Sequence, residues 1–108
     1  DILFEFDSSS LKPENLPKVD SIARLVTGTA YDTVWVEGHT DIRGTPEYNL
    51  DLSYRRARTI ASLLMRRGVD PRRIIIKGYG EERPVAPNDS PASQARNRRV
   101  VVRVLRKI

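Results

Sequence analysis

Two hydrophobic periods alternate along this chain, and their order limits the fold more than any other feature of the sequence. Short segments with an apolar residue at every second position predict strands, and longer segments with apolar residues at steps of three and four predict amphipathic helices. The predicted strands cover residues 2 to about 7, residues 34–37, residues 74–76, and a last segment that carries Val100, Val102 and Val104. The predicted helices cover residues 16–26 and about 49–67.

The resulting order is β-α-β-α-β-loop-β, with the last loop at about residues 78–90. Helical crossovers between strands are typical of parallel or mixed sheets, so we expect an α/β (α+β) two-layer sandwich. In this fold a mixed four-stranded sheet carries both helices on one face. The loops at residues 7–10 and 38–47 follow the first two strands, and ligand sites in α/β folds commonly lie in such loops.

With 108 residues, the chain has room for one hydrophobic core, so we expect one domain, residues 1–108. Cysteine is absent and there is a single histidine, which excludes a disulfide scaffold, a thiolate zinc site and a multi-histidine metal centre. We therefore expect no metal and no cofactor. No apolar run is long enough to cross a bilayer and no signal peptide is visible, although a longer precursor could carry either.

His39 and Asp41 follow the second strand closely enough to resemble an acid–base pair. A base of this kind needs a nucleophile or a metal beside it, and the sequence offers neither a second histidine nor a nucleophile motif. We therefore expect that the chain is not an enzyme and that His39 has a packing or hydrogen-bonding role.

The net charge is +5, and the basic residues are mostly arginines in the second half of the chain. This composition favours a carboxylate, phosphate or nucleic-acid ligand, or else a solvated basic face. A nucleic-acid-binding module is the weaker alternative because the four tyrosines are scattered and form no stacking platform on a strand.

Asp41 and Arg56 are the residues that best combine into a binding site. If the loop at residues 38–47 folds back on the following helix, a carboxylate and a guanidinium meet at one pocket. Such a pair suits a zwitterionic ligand, whose amino group would contact Asp41 and whose carboxylate would contact Arg56 and backbone N–H groups near the helix start. Alternatively, the two side chains only bridge each other, and spacing does not separate these possibilities.

Several runs of the sequence resemble the OmpA-like peptidoglycan-associating domain, most of all the version in peptidoglycan-associated lipoproteins. The first three runs are Val36-Glu37-Gly38-His39-Thr40-Asp41, Arg43-Gly44-Thr45-Pro46-Glu47-Tyr48-Asn49 and Leu52-Ser53-Tyr54-Arg55-Arg56-Ala57. Further matches are Phe4 to Asp7, Leu11-Lys12-Pro13-Glu14, Lys77-Gly78-Tyr79-Gly80-Glu81, Pro84 and Asn97-Arg98-Arg99-Val100. The resemblance covers essentially the whole chain.

The resemblance implies non-covalent binding of the peptide stem of peptidoglycan, chiefly at meso-diaminopimelate. In the family the aspartate of G-[HY]-[TA]-D and the arginine of L-S-x-x-R-A hold the amino and carboxylate groups, and these match Asp41 and Arg56. The surrounding positions implied to line the pocket are Thr40, Asn49, Leu52 and Arg43. Phe6 and Asp7 are expected to close one wall, and Arg98 either contacts ligand or, by slight preference, braces the loop.

The resemblance also implies a location in the periplasm of a Gram-negative-type bacterium, in association with the outer membrane. The expected role is to tether an outer-membrane or envelope protein to the wall, with peptidoglycan and envelope proteins as partners. Nucleic acid is not expected as a partner, and a membrane would be reached only through an anchor outside these residues. The loop at residues 82–96 lacks the disulfide-bearing insertion of some relatives. A cell-wall-acting enzyme and a nucleic-acid-binding module are the alternative functions.

Overall fold

Four strands and three helices make up residues 1–107, which are the residues that the computed structural model describes; Ile108, the last residue of the expected domain, lies outside them. The strands are β1 (Ile2–Leu3), β2 (Tyr31–Gly38), β3 (Ile74–Gly78) and β4 (Arg99–Arg106), and the helices are α1 (Leu16–Thr27), α2 (Pro46–Arg66) and α3 (Pro91–Asn97). Single 3-10 turns, Pro13–Asn15 and Pro71–Arg73, precede α1 and β3.

The sheet has the strand order β1-β4-β2-β3. β4 is antiparallel to both of its neighbours, whereas β2 and β3 are parallel and joined through α2. The mixed four-stranded sheet expected from the sequence is confirmed. Because β1 and β2 run in the same direction beside β4, their carboxyl ends meet the beginning of β4 at one edge of the sheet.

The core lies between the sheet and the helices α1 and α2. Alternate residues of the strands point into it, and α1 and α2 contribute residues at helical spacing, as the sequence predicted. Its buried members are Ile2, Phe4, Val19, Ala23, Val26, Val34, Val36, Ala57, Ile60, Ala61, Leu64, Val69 and Val100. Of the predicted third strand, Ile74 and Ile76 are only half-buried and Ile75 is 40% exposed, because β3 is an edge strand with one open face.

The first strand is shorter than predicted. The apolar alternation was expected to carry it to about Asp7, but β1 ends at Leu3 and the Ser8 N–H donates to the Glu5 carbonyl in a turn. Asp7 has a φ of 56°, which a strand cannot accommodate. Phe6 is consequently 52% exposed instead of facing the core.

The third helix, α3, was missed, so the observed order is β-α-β-α-β-α-β instead of the expected β-α-β-α-β-β. Its seven residues carry no apolar stripe that would mark a helix. The helix is defined at its ends instead: the Ser90 hydroxyl accepts from the Ser93 N–H, and the buried Asn97 side chain bonds the backbone of residues 85 and 86.

Helix α2 begins three residues earlier than predicted. Thr45 is its N-cap, accepting a hydrogen bond from the Tyr48 N–H, and Pro46 occupies the first helical position. Arg56 therefore lies in the third turn of α2 and not near its start. Within residues 1–107, no helix has the combination of length and apolar character that crossing a membrane requires.

Candidate ligand-binding site

A cavity of about 330 Å³ opens where the carboxyl ends of β1 and β2 meet the beginning of β4 and the first turns of α2. Its walls come from the loop after β1, the loop between β2 and α2, the inner side of α2 and the residue before β4. The lining residues are Phe6, Asp7, Thr40, Asp41, Arg43, Gly44, Tyr48, Asn49, Leu52, Arg56 and Arg98.

All nine residues that the sequence singled out lie on this one cavity. Two further lining residues, Gly44 and Tyr48, were not among them. Both are next to predicted pocket residues in the sequence: Gly44 follows Arg43, and Tyr48 precedes Asn49. The helical start at Thr45-Pro46, had it been recognised, would have placed the Tyr48 side chain in the first turn of α2, beside the loop.

The Asp41 carboxylate is buried and bonded by two arginines. Its Oδ1 accepts from the Arg43 backbone N–H at 3.0 Å, and its Oδ2 accepts from Arg43 Nη2 at 2.7 Å and from Arg98 Nη1 at 3.2 Å. Burial would raise the pKa of this carboxyl, but the hydrogen bonds from Arg43 and Arg98 outweigh it and lower the pKa. Asp41 is therefore an ionised acceptor.

Arg56 is completely buried and does not bridge Asp41. Its Nε donates to the Ser8 carbonyl at 2.8 Å, Nη1 to the His39 carbonyl at 2.9 Å and Nη2 to the Glu5 carbonyl at 3.0 Å. Desolvation, helped by the nearby charge of Arg98, lowers the pKa of the guanidinium to about 10. Three of its five N–H groups are thus in use, and the charge has no carboxylate partner within residues 1–107.

Arg98 connects the two loops that form the cavity. Its Nε donates to the Phe4 carbonyl at 2.9 Å, its backbone carbonyl accepts from the Phe4 N–H, and its Nη1 reaches Asp41. The side chain is only 12% exposed. These contacts are those of a residue that holds the loop after β1 against Asp41.

Phe6, Asp7 and Tyr48 form the outer wall. The Tyr48 hydroxyl donates to Asp7 Oδ1, which ties the loop after β1 to α2. Arg43 lies with its guanidinium 3.8 Å from the centroid of the Phe6 ring. The exposed ring of Phe6 therefore makes a cation–π contact that holds the Arg43 guanidinium at the cavity wall.

Asn49 and Thr40 make up the floor with Leu52. The Asn49 amide donates to the Arg43 carbonyl at 2.9 Å and to Glu81 Oε1 at 3.0 Å, so it fixes the loop in front of α2. Thr40 is buried, and its hydroxyl has no hydrogen-bond partner within residues 1–107. The expected help from N–H groups at the helix start is reduced, because Thr45 already occupies the Tyr48 N–H.

His39 does not form a pair with Asp41. Its ring stacks on Tyr79 with 5.5 Å between centroids, and its buried Nδ1 lacks a partner in the described part of the chain. Burial and the charge of Arg99 lower the pKa of the imidazole to about 4. As to metals, residues 1–107 contain no group of three or more His, Cys, Asp or Glu residues placed to hold an ion.

Comparison with known proteins gives a family match over most of the chain. Residues 3–98 match the family model described as OmpA family. The peptidoglycan-associated lipoprotein of Pseudomonas aeruginosa is 46% identical over 97 residues, which are 90% of this chain and 57% of that protein. The chain spans between about half and three fifths of the length of curated relatives of this kind.

Solved structures with the same fold come from several kinds of protein. The crystal structure of the peptidoglycan-associated lipoprotein from Burkholderia pseudomallei has a TM-score of 0.84 and 31% identity, covering 96% of this chain and 86% of that one. The cell wall anchor of the type VI secretion system (T6SS) from P. aeruginosa has a TM-score of 0.85 and 36% identity, covering 99% and 77%.

Proposed function

Because the chain belongs to the OmpA family, we propose that it is a non-enzymatic domain that binds peptidoglycan and tethers an envelope protein to the cell wall. Two of its relatives support this proposal by name, one as a peptidoglycan-associated lipoprotein and one as a cell wall anchor. The domain would act in the periplasm of a bacterium with an outer membrane. Attachment to that membrane would be made outside residues 1–108.

The ligand that we propose is the peptide stem of peptidoglycan, bound at meso-diaminopimelate. The observation that carries this choice is the fully buried Arg56 guanidinium, which lines the cavity without a carboxylate partner. A buried charge that is not neutralised is costly, so a carboxylate that enters the cavity gains a strong charge-assisted contact. Two N–H groups of Arg56 make no hydrogen bond within residues 1–107.

The amino group of the ligand would be bound by hydrogen-bond acceptors that line the cavity. Asp41 and Asp7 both line the cavity, so an ammonium group can lie between carboxylates while its neighbouring carboxylate turns to Arg56. The unpartnered Thr40 hydroxyl can donate to or accept from either group. A carbon atom that bears both an amino and a carboxylate group fits these charges better than a simple acid or a simple amine.

Sedimentation with purified sacculi tests the site. We expect Asp41→Asn to reduce the bound fraction strongly, because a charge-assisted contact of this kind corresponds to about ten- to a hundredfold in affinity. Asp51→Asn is the matched control: the same change is made on an exposed residue of α2, outside the cavity. Circular dichroism verifies that both variants are folded.

Sedimentation of the folded Asp41→Asn variant at the level of the unaltered protein would contradict the site. The non-enzymatic part of the proposal is tested on the same sacculi by chromatography of the supernatant. New muropeptides that disappear in a His39→Ala variant would show that the chain is a hydrolase.

A further inference from the structure

The Asp41 carboxylate, which the proposed function assigns to the ligand's amino group, is already occupied in the free protein. Arg43 supplies three of its four hydrogen bonds: the backbone N–H to Oδ1 at 3.0 Å, and Nε and Nη2 to Oδ2 at 3.3 and 2.7 Å. Arg98 supplies the fourth. An ammonium group can therefore bind Asp41 fully only if a guanidinium moves away.

Of the two arginines, Arg43 is the one that can move. Its side chain is 41% exposed, whereas that of Arg98 is 12% exposed and held by the Phe4 carbonyl. Arg43 can turn into solvent without leaving a buried cation behind. Its backbone N–H would stay on Oδ1, so the shape of the loop does not depend on the side-chain contact.

We propose that the Arg43 guanidinium takes the place of the ligand's ammonium group in the free protein and thereby makes the site selective for ligands that carry amino and carboxylate groups on one carbon. The inference rests on the proposed function and adds a specificity-determining residue to it. Arg43 is the competitor that every incoming cation has to displace.

The selectivity depends on whether the ligand offers the displaced Arg43 guanidinium a new hydrogen-bond acceptor. When a zwitterionic end enters, its ammonium replaces Arg43 at Asp41, and its carboxylate can accept Arg56 with one oxygen and the displaced Arg43 with the other. A plain amine, such as a lysine side chain, breaks the Arg43 contact and offers no acceptor in exchange. The plain amine also leaves the Arg56 charge without a partner. Discrimination against it thus comes from two arginines. Removal of the Arg43 side chain costs its contacts to Asp41 and to the Phe6 ring, whereas removal of Arg56 would take the donor from three backbone carbonyls.

The test uses two stem tripeptides that differ in one carboxylate, one ending in meso-diaminopimelate and one in L-lysine. Dissociation constants are measured by titration calorimetry for the unaltered protein and for Arg43→Met, which removes the guanidinium but keeps an unbranched chain over Phe6. We expect the unaltered protein to prefer the diaminopimelate peptide. In Arg43→Met the affinity for the lysine peptide should rise by about tenfold, the value of one charge-assisted contact, while that for the diaminopimelate peptide changes little.

Arg55→Met is the matched control, because Arg55 lies over Tyr48 and pairs with Asp51 but has no contact with Asp41. It should leave the ratio of the two affinities unchanged, and Arg43→Lys, which keeps a cation, should preserve most of it. The same ratio in folded Arg43→Met as in the unaltered protein would overturn the role of Arg43 and leave the proposed function standing. Binding of neither peptide to the unaltered protein would overturn both.

Discussion

Arg56 and Asp41 are the two ions at the centre of the cavity, and their contacts differ in kind. Arg56 donates to three backbone carbonyls from two loops, so it contributes to the fold as well as to the cavity. The Asp41 carboxylate is bonded by the side chains of Arg43 and Arg98 and by the Arg43 backbone N–H. A substitution of Arg56 would leave the buried His39 carbonyl without this donor, at a cost of about 1–3 kcal/mol, and would also remove the contacts to the Ser8 and Glu5 carbonyls. Loss of binding in such a variant would therefore mix stability with recognition, and Asp41 is the better position for testing the site.

The titration of His39 gives a prediction for stability. Its pKa is lowered from 6.5 to about 4 in the folded protein, so the unfolded chain takes up a proton first as the pH falls. The free energy of unfolding should decrease between about pH 6.5 and pH 4, by about 3 kcal/mol for a shift of this size, and His39 adds no further decrease below that window.

Urea unfolding at several pH values measures this dependence in the unaltered protein and in His39→Gln. The buried carboxyls of Glu37 and Asp41, whose pKa values are lowered, lose their stabilising effect only at more acid pH and are common to both proteins. His39 is the sole histidine in the sequence, so His39→Gln should flatten the curve between pH 6.5 and 4.5. An equal slope in both proteins would mean that His39 does not titrate as described.

The sequence predicted the residues of the cavity better than their contacts. Asp41 could be selected because it follows a strand, and Arg56 because it lies on the next helix. Both residues line the cavity. The open question was whether they bridge each other, and the structure shows that they do not. Three arginines lie near Asp41, and burial and loop geometry decide which of them bonds it. The spacing of residues in the sequence gives no information on either burial or loop geometry.

At the scale of elements, α2 lies unusually close to the sheet. Gly38 and Gly78 are partners at the ends of β2 and β3. A Cβ atom on Gly38 would lie 1.8 Å from the Ser53 carbonyl oxygen, and one on Gly78 would lie 2.7 Å from the Tyr54 backbone nitrogen. The absence of side chains at both positions lets the helix approach, and this approach places Arg56 under the cavity.

Gly38→Ala should accordingly destabilise the fold by at least about 3 kcal/mol, because the obstructing atom is helix backbone and cannot rotate away. Gly68→Ala is the control. Its nearest contact, Thr27 Cγ2, is at an ordinary 3.9 Å, so only its positive φ matters, at about 1–2 kcal/mol. Chemical denaturation of the two variants measures the difference. A smaller loss for Gly38→Ala than for Gly68→Ala would contradict the close packing of α2.

The elements that could be predicted from sequence are those that bury a face. Helices α1 and α2 show a helical period because one side of each packs on the sheet. Helix α3 is held by its N-cap and by the hydrogen bonds of Asn97 instead of by an apolar face. Its sequence therefore shows no helical period of apolar residues. The end of β1 was misplaced because Phe6 continues the alternation of the strand although its ring stacks under Arg43. A pattern of apolar residues does not distinguish a ring in the core from a ring on a cavity wall.

On the scale of the whole molecule, much of the basic charge is balanced locally. Ion pairs at the surface outside the cavity include Arg55 with Asp51, Arg67 with Asp20, Arg72 with Asp70 and Arg73 with Asp32. Exposed pairs of this kind add little stability. The net charge of +5 already counts these pairs as neutral, so the positive field that a polyanion would meet comes from an excess of five basic residues and not from all 19.

We propose that the chain unfolds as one cooperative domain. Its radius of gyration of 13.7 Å is close to the value of about 13 Å expected for a compact unit of this size. Urea transitions followed by Trp35 fluorescence, which reports on the sheet, and by far-UV circular dichroism, which is dominated by the helices, should coincide. Two separated midpoints would indicate that sheet and helices unfold as different units.

Asp7 is the one residue other than glycine with a positive φ within residues 1–107, and it lies on the cavity wall. Left-handed backbone is strained for a residue with a side chain, and glycine would relieve that strain. Glycine would also delete the carboxylate that accepts from the Tyr48 hydroxyl and that, under the proposed function, faces the ligand. Selection of variants for thermal stability alone would therefore favour Asp7→Gly. The selected protein would be more stable but would have a poorer binding site.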